Sequence, residues 1–201
     1  MNIRVVLAAI VVIALATTAC ATRYTKPSTV QNIPPAEKFA AFDRFELMSV
    51  ALDPAYSGDG ANHKATAKIQ EYFDLKVKPL INGWNGDQPA GRVSRTLLIE
   101  PRIEHIKFIG GGARFWVGPL AGSSAVIMKV KYIEKTTGKV IAEPEFFQRA
   151  AAWSGTFTVG GQDNAMLSRI VTLVADFTRD NYQQAVGGPS GAPKELVHPA
   201  E

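Results

Sequence analysis

The sequence predicts an α+β fold, a two-layer mixed sheet of about four strands carrying two helices in the order β-α-β-β-β-α. Three observations carry that expectation. Residues 124–134 alternate, with Val126, Met128, Val130 and Tyr132 pointing one way and Lys129 and Lys131 the other, the period of a half-buried strand. Residues 163–180 repeat Met166, Ile170, Leu173, Val174 and Phe177 at helical spacing, opposite Arg169, Asp176, Arg179 and Asp180. Turn residues punctuate the chain between such segments, and 201 residues suit one domain with accessory segments.

The first strand is expected over Arg44–Leu52, where Phe45 and Leu47 alternate with Arg44 and Glu46 before the run turns apolar. Asp53-Pro54 ends it and Gly58-Asp59-Gly60 turns the chain. Over residues 62–81, Ile69, Tyr72, Phe73, Val77, Leu80 and Ile81 form one helical stripe, with Asn62 as N-cap and Pro79 kinking or ending the helix. Asn82-Gly83-Trp84-Asn85-Gly86 reads as turn chemistry.

A second strand is expected over residues 95–109, bending at Pro101, and the glycine-rich segment 110–122 leads into the third. Thr136-Thr137-Gly138-Lys139 closes a hairpin. Strand four follows, interrupted at Pro144 and resuming through Ala151, Trp153, Phe157 and Val159. The final helix starts from Asp163 as its N-cap. A helical crossover lets the first two strands pair parallel, and the hairpins make antiparallel pairs.

The amino terminus carries a different signal. Arg4 precedes an unbroken apolar run, Val5–Ala16, and Thr17-Thr18-Ala19-Cys20 follows at once. A run of this length is too short to span a bilayer, which takes about 20 residues, and suits the hydrophobic region of a signal peptide. Two processing readings meet here. Small residues running into a cysteine resemble the bacterial lipobox, with Thr17 where the pattern prefers Leu; cleavage would then leave Cys20 acylated and first in the chain. Ala19-Cys20-Ala21 also reads as an ordinary A-x-A site, with cleavage after Ala21. The position of the single cysteine, between a signal core and a polar, proline-containing stretch, favours lipidation at Cys20. The lipobox resemblance further implies the outer membrane, facing the periplasm, because Ala21 is not the Asp that retains such proteins at the inner membrane. The alternative is a soluble periplasmic or secreted protein.

The expected organisation is a signal peptide over 1–19, a lipidated tether over 20–38, an α+β periplasmic domain over 39–185 and a disordered tail over 186–201. Pro27, Pro34 and Pro35 among polar residues suggest a semi-stiff tether, and Gly187-Gly188-Pro189-Ser190-Gly191 suggests disorder. Hydrophobic residues at 46% and charged residues at 20% are ordinary for a globular chain. The charge of +4, from 22 basic and 18 acidic residues, is spread out and gives no nucleic-acid stripe. One cysteine allows no internal disulfide.

The run Gly110-Gly111-Gly112-Ala113-Arg114-Phe115-Trp116-Val117-Gly118, then Ala121-Gly122-Ser123-Ser124, then a strand ending in Thr137-Gly138-Lys139-Val140-Ile141-Ala142, resembles a bacterial envelope family catalogued as domain of unknown function 4410. Gly160-Gly161-Gln162-Asp163 fits it too. The resemblance covers residues 42–182 and implies an envelope lipoprotein, with no activity and no catalytic residues to carry over. In order of elements the chain is also similar to small periplasmic α/β domains of the Tol system and of lipoproteins that activate cell-wall synthases.

No catalytic, cofactor or metal constellation emerges. Gly110-Gly111-Gly112 leads to Arg114-Phe115-Trp116 and Pro119, not to the helix start a phosphate loop needs. His63, His105 and His198 lack ligand spacing. Glu100 and Glu104 share a strand face with Arg102, which reads as a self-compensating solvated face. Ser123, Ser124 and Ser154 have glycine neighbours but no nucleophile elbow. Arg114, Phe115 and Trp116 are candidate partner contacts, since aromatic and arginine side chains dominate binding hot spots; a loop folded over the sheet edge is the plainer reading. The expectation is a non-catalytic envelope lipoprotein that needs no cofactor, is held to a membrane by its anchor and docks a protein partner. The alternatives are a carrier of a small apolar ligand and a hydrolase assembled from scattered residues.

Overall fold

A computed structural model describes residues 26–86, 95–108, 123–151 and 161–197. Its strands are β1 (Gln31–Asn32), β2 (Arg44–Leu47), β3 (Ala51–Leu52), β4 (Thr96–Lys107), β5 (Ser123–Glu134), β6 (Val140–Ala142), β7 (Glu145–Ala151) and β8 (Gly188–Pro189). The α-helices among the described residues are α1 (Gly60–Lys76), α2 (Lys78–Gly86) and α3 (Gly161–Asp180). The long strands β4 and β5 pair antiparallel at the centre of a mixed sheet. The short strands β2 and β3 run parallel to β4 on one side, and β6 and β7 run antiparallel to β5 on the other. The fold is α+β, as the sequence predicts, with a parallel pairing across the helical crossover. The sheet has six strands, not four, because both outer positions are filled by two short strands each.

The reasons lie in local chemistry. The expected first strand divides where the N–H of Val50 turns to the Gln70 side chain at 2.8 Å, leaving β2 and β3 either side of residues 48–50. The expected fourth strand divides at Pro144, which has no N–H to give a ladder; its carbonyl still accepts from Val130 at 3.1 Å. Its proposed continuation through Trp153, Phe157 and Val159 lies outside the described residues.

The single helix expected over 62–81 is two. α1 starts earlier than expected, capped by the Asp59 carboxylate, which accepts from the Ala61 N–H at 2.8 Å. Asn62 is not the cap; it is buried and donates to the Tyr56 carbonyl. The helix stops at Val77, and Pro79 then sits in the first turn of α2, where a missing N–H costs nothing. The stretch 82–86, with its turn composition, stays helical because its packing outweighs propensity. Trp84 stacks on Tyr182 at 4.1 Å between centroids and tilts against Phe45 at 5.2 Å. α3 begins at Gly161, so Asp163 falls within its first turn and is not the cap.

All three helices cover one face of the sheet. Ile69 and Phe73 of α1, and Met166, Ile170, Val174 and Phe177 of α3, meet Leu97, Ile99 and Ile103 of β4 and the expected Val126–Tyr132 row of β5. Tyr132 is fully buried, stacked on Phe39 at 4.6 Å, and its hydroxyl lies 2.6 Å from Thr178 Oγ1. The Thr178 hydroxyl donates to the Val174 carbonyl, so Tyr132 is the donor to Thr178. Both buried hydroxyls are thereby satisfied.

The opposite face is closed by residues 26–36 and 186–197, and here the structure departs from the expected spacer and tail. Residues 186–197 are not a disordered tail. β8 pairs antiparallel with β1, and Ala192 and Leu196 cover Ala125, Ile127 and Phe147 in a second apolar cluster. Gly187 takes φ +77°, and a Cβ there would lie 2.3 Å from the Asn32 carbonyl oxygen, so the crossing requires glycine. Asn181, fully buried, donates to the Phe177 and Gly187 carbonyls and accepts from the Val186 and Gly187 N–H groups. That carboxamide has all four of its bonding positions filled.

Nor are residues 26–38 wholly a spacer. Pro27 and Asn32 are buried, and the Ala36 N–H donates to the Ile141 carbonyl at 2.8 Å. Ordering these proline- and glycine-rich ends costs chain entropy. Contacts to strands more than a hundred residues away offset it.

Two of the four outer strands, β7 and β2, are blunted by the same device. The Asn32 carboxamide accepts from the Glu145 N–H and donates to the Glu145 carbonyl, both at 2.9 Å. Asn85 does the same to Phe45, again at 2.9 Å for each bond. An amide side chain thus occupies the position of a neighbouring strand and removes an open edge.

Candidate functional site

The outer sheet face beside the N-terminal segment is where polar groups converge. The antiparallel register sets Arg102 opposite Lys129, and Lys129 opposite Glu145, in one row across β4, β5 and β7. The next row pairs Glu100 with Lys131. A bulge in β4 makes Glu104 the extra residue between the pairs Ile103–Met128 and His105–Ile127. Glu104 thereby reaches Lys129 at 3.1 Å.

The N-terminal segment crosses these rows. The Glu145 carboxylate accepts from the Ser28 N–H at 2.6 Å and the Ser28 hydroxyl at 3.0 Å. Beside this contact lies an open groove of about 360 Å³, walled by Ser28, Asn32, Ile33, Lys129, Glu143 and Glu145. Burial works to lower the Lys129 pKa, but the hydrogen bond to Glu104 and the charges of Glu104, Glu145 and Glu143 outweigh it, and the net shift is upward. A lysine held in its charged form is neither a base nor a nucleophile at neutral pH. The groove is lined by ion-paired and hydrogen-bonded polar groups, with Ile33 among them.

The expected self-compensation of Glu100, Arg102 and Glu104 takes a different form. Arg102 pairs with Asp53 at 2.7 Å and Glu104 with Lys129, so the partners come from other segments and not from the same strand. Asp53 is lowered by the Ala55 N–H and then by Arg102.

The three histidines are not brought together. His63 is on α1 and bonds the Ser57 carbonyl, while His198 lies outside the described residues. His105 is buried under Tyr56, whose hydroxyl lies 2.5 Å from Nδ1, with the rings edge-on at 5.0 Å. Burial, then the charge of Lys107, lowers its pKa. The pair is a candidate for proton chemistry by residue type, and it stands apart from the groove walled by Ser28 and Glu145. Among those residues no group of three or more His, Cys, Asp or Glu could hold a metal ion.

Cys20, Gly110-Gly111-Gly112, the candidate contacts Arg114, Phe115 and Trp116, and Ser154 all lie outside the described residues. Ser123 and Ser124 lie on β5 as strand residues. The residues missed by sequence reasoning are Ser28, Asn32 and Glu145. An asparagine and a serine in a proline-containing stretch carry no local signal for a strand pairing 113 and 117 residues away. No helix of the described residues is long and apolar enough to cross a membrane.

No family model matches this chain, so the resemblance to family 4410 gains no support from one. No curated protein matches it either. Among solved structures, it is similar to a PelC dodecamer from Paraburkholderia phytofirmans at 15% identity, covering 71% of this chain and 92% of that one, TM-score 0.33. A DUF330 protein from Xanthomonas campestris aligns at 14% identity over 78% of this chain and 95% of that one, TM-score 0.41. A candidate lipoprotein from Caulobacter crescentus aligns at 8% identity over 68% and 88%, TM-score 0.33. None of these likenesses assigns the chain to a family.

Proposed function

We propose that this chain is a non-catalytic envelope lipoprotein, anchored through acylated Cys20 at the periplasmic face of the outer membrane, whose domain docks another envelope component. One observation carries the reading. An apolar run and three small residues lead into Cys20, and only seven residues later Pro27 is buried, with Ser28 bonded to Glu145. An acyl-anchored cysteine so close to the fold makes the domain a membrane-surface body. One acyl chain holds reversibly, whereas two or three hold stably, at about 0.8 kcal/mol per buried CH₂.

The carrier reading finds no such support. The space between sheet and helices is filled by Phe39, Tyr132, Phe146 and Phe177, whose ring centroids lie 4.6–6.3 Å apart in the contacts they make. The described groove is polar and open. Nothing in its chemistry favours hydrolysis over recognition.

Replacing Cys20 with Ser tests the anchor. The variant is expected in the soluble periplasmic fraction, and retention in the membrane fraction would refute the reading. For the docking half, Arg114, Phe115 and Trp116 are the proposed contacts. A photo-crosslinking residue at Trp116 should give one discrete adduct in the native envelope, and the absence of any adduct removes those three residues from the proposal.

A further inference from the structure

The length of chain between Cys20 and the fold limits which side of the domain can meet the leaflet. Seven fully extended residues span at most about 25 Å. A compact body of about 170 residues has a radius of gyration near 16 Å and so a diameter of about 40 Å. The tether is shorter than the domain is wide. The far side cannot turn to the membrane, and the side from which the chain leaves must face it.

That side carries an apolar patch. Ile33 is 83% exposed and Val186 53% exposed, although both are large aliphatic residues. They are neighbours in space: β1 and β8 pair through Asn32 and Gly188, and a Cβ on Gly187 would lie 3.0 Å from both the Ile33 carbonyl carbon and the Pro34 nitrogen. Pro34 is exposed between them. Val140, 45% exposed, flanks the same segment through the bond from Ala36 to its neighbour Ile141. Three of the five large exposed hydrophobics among the described residues therefore border one short stretch, 31–36. Ile33 is itself five residues along from Ser28, within about 18 Å of chain. Exposed aliphatic side chains grouped in this way mark a contact surface.

We infer that the Ile33–Val186 patch sits in the headgroup–acyl boundary of the leaflet that holds Cys20. This rests on the anchor proposed above and adds an orientation to it. The β1–β8 ribbon is the membrane-facing end, and α1, which carries exposed Leu75, points away from the lipid. Two contacts, acyl chains and patch, fix the body where one would let it tumble within the tether's reach.

The test uses the full acylated protein in vesicles of phosphatidylethanolamine and phosphatidylglycerol. A fluorophore is placed on Ile33→Cys or, separately, on Leu75→Cys, and quenched by lipids carrying a nitroxide near the top of the acyl chain. Quenching is expected to be at least threefold greater at position 33 than at 75, with Val186→Cys behaving like 33. Equal quenching at 33 and 75 on vesicle-bound protein overturns the orientation while leaving the anchor standing. Protein that stays unbound, with an intact mass lacking acyl chains, overturns both. Circular dichroism of each labelled variant against the parent protein checks that the labels leave the fold in place.

Discussion

The two faces of the sheet are closed by different means. The inner face is covered by three helices whose apolar stripes are local in sequence, and its row Val126, Met128, Val130 and Tyr132 is wholly buried. The outer face is covered by two segments remote in sequence, with Ala192 and Leu196 over Ala125, Ile127 and Phe147, and with Ser28 and Asn32 against Glu145. The inner face rests on non-directional burial. The outer one rests on a small apolar cluster together with side-chain-to-backbone hydrogen bonds that each span more than a hundred residues of chain. Burial tolerates change gradually, whereas bonds of that kind are made or lost one at a time.

This difference sets an order of effects. Phe73→Ala, in the helix-covered core, should cost about 3–5 kcal/mol in denaturant unfolding, the range for emptying a buried aromatic site. Leu196→Ala, in the smaller cluster, should cost about 2 kcal/mol, at the low end for a buried leucine, because neighbouring chain can collapse into the gap. A loss at Leu196 equal to that at Phe73 would merge the two faces into one core. Asn32→Ala should cost about 1–3 kcal/mol by leaving the Glu145 N–H and carbonyl without partners, and Asn85→Ala should do the same to Phe45. If either edge position proves neutral, the amide plugs do not seal the edges.

What was legible in the sequence follows the same division. The alternation of β5 and the stripe of α3 are enforced by neighbours within the same element, so period alone found them. The burial of Ala125 and Ile127 on the second face was hidden, because what covers them lies some seventy residues on, in a segment rich in glycine and proline. Ser190 shows why: its hydroxyl donates to the Thr29 carbonyl, 161 residues away, and its carbonyl accepts from Phe147. Composition reports what a segment can do alone. It says nothing of a partner brought by the fold. Asn85 failed for the same reason, since its turn-like surroundings concealed a tertiary role.

The smallest expected effect is pH-dependent and belongs to the outer face. His105 is neutral in its buried site, with its folded pKa below the ordinary value near 6.5. The unfolded chain therefore binds a proton more readily, and stability, complete above that value, falls as pH drops through the depressed folded one. Between pH 7 and 5 the melting temperature should decline, and His105→Gln should flatten the decline. The lowered carboxylates Glu37 and Glu134, each bonded to Arg95, act only at lower pH, below about 4.5. An undiminished decline in His105→Gln would locate the titrating group elsewhere.

The central claim is that residues 26–38 and 186–197 belong to the fold, which is what brings the body within seven residues of Cys20. Native-state hydrogen exchange on the full protein tests it most directly, through the N–H groups of Glu145, Phe147 and Ser190, which bond to Asn32, Ser190 and Val30. The account predicts protection at all three well above unfolded-chain rates, and its loss at Glu145 in Asn32→Ala. Exchange of the Ser190 and Glu145 amides at the rate of an unfolded peptide, while β5 stays protected, would contradict it.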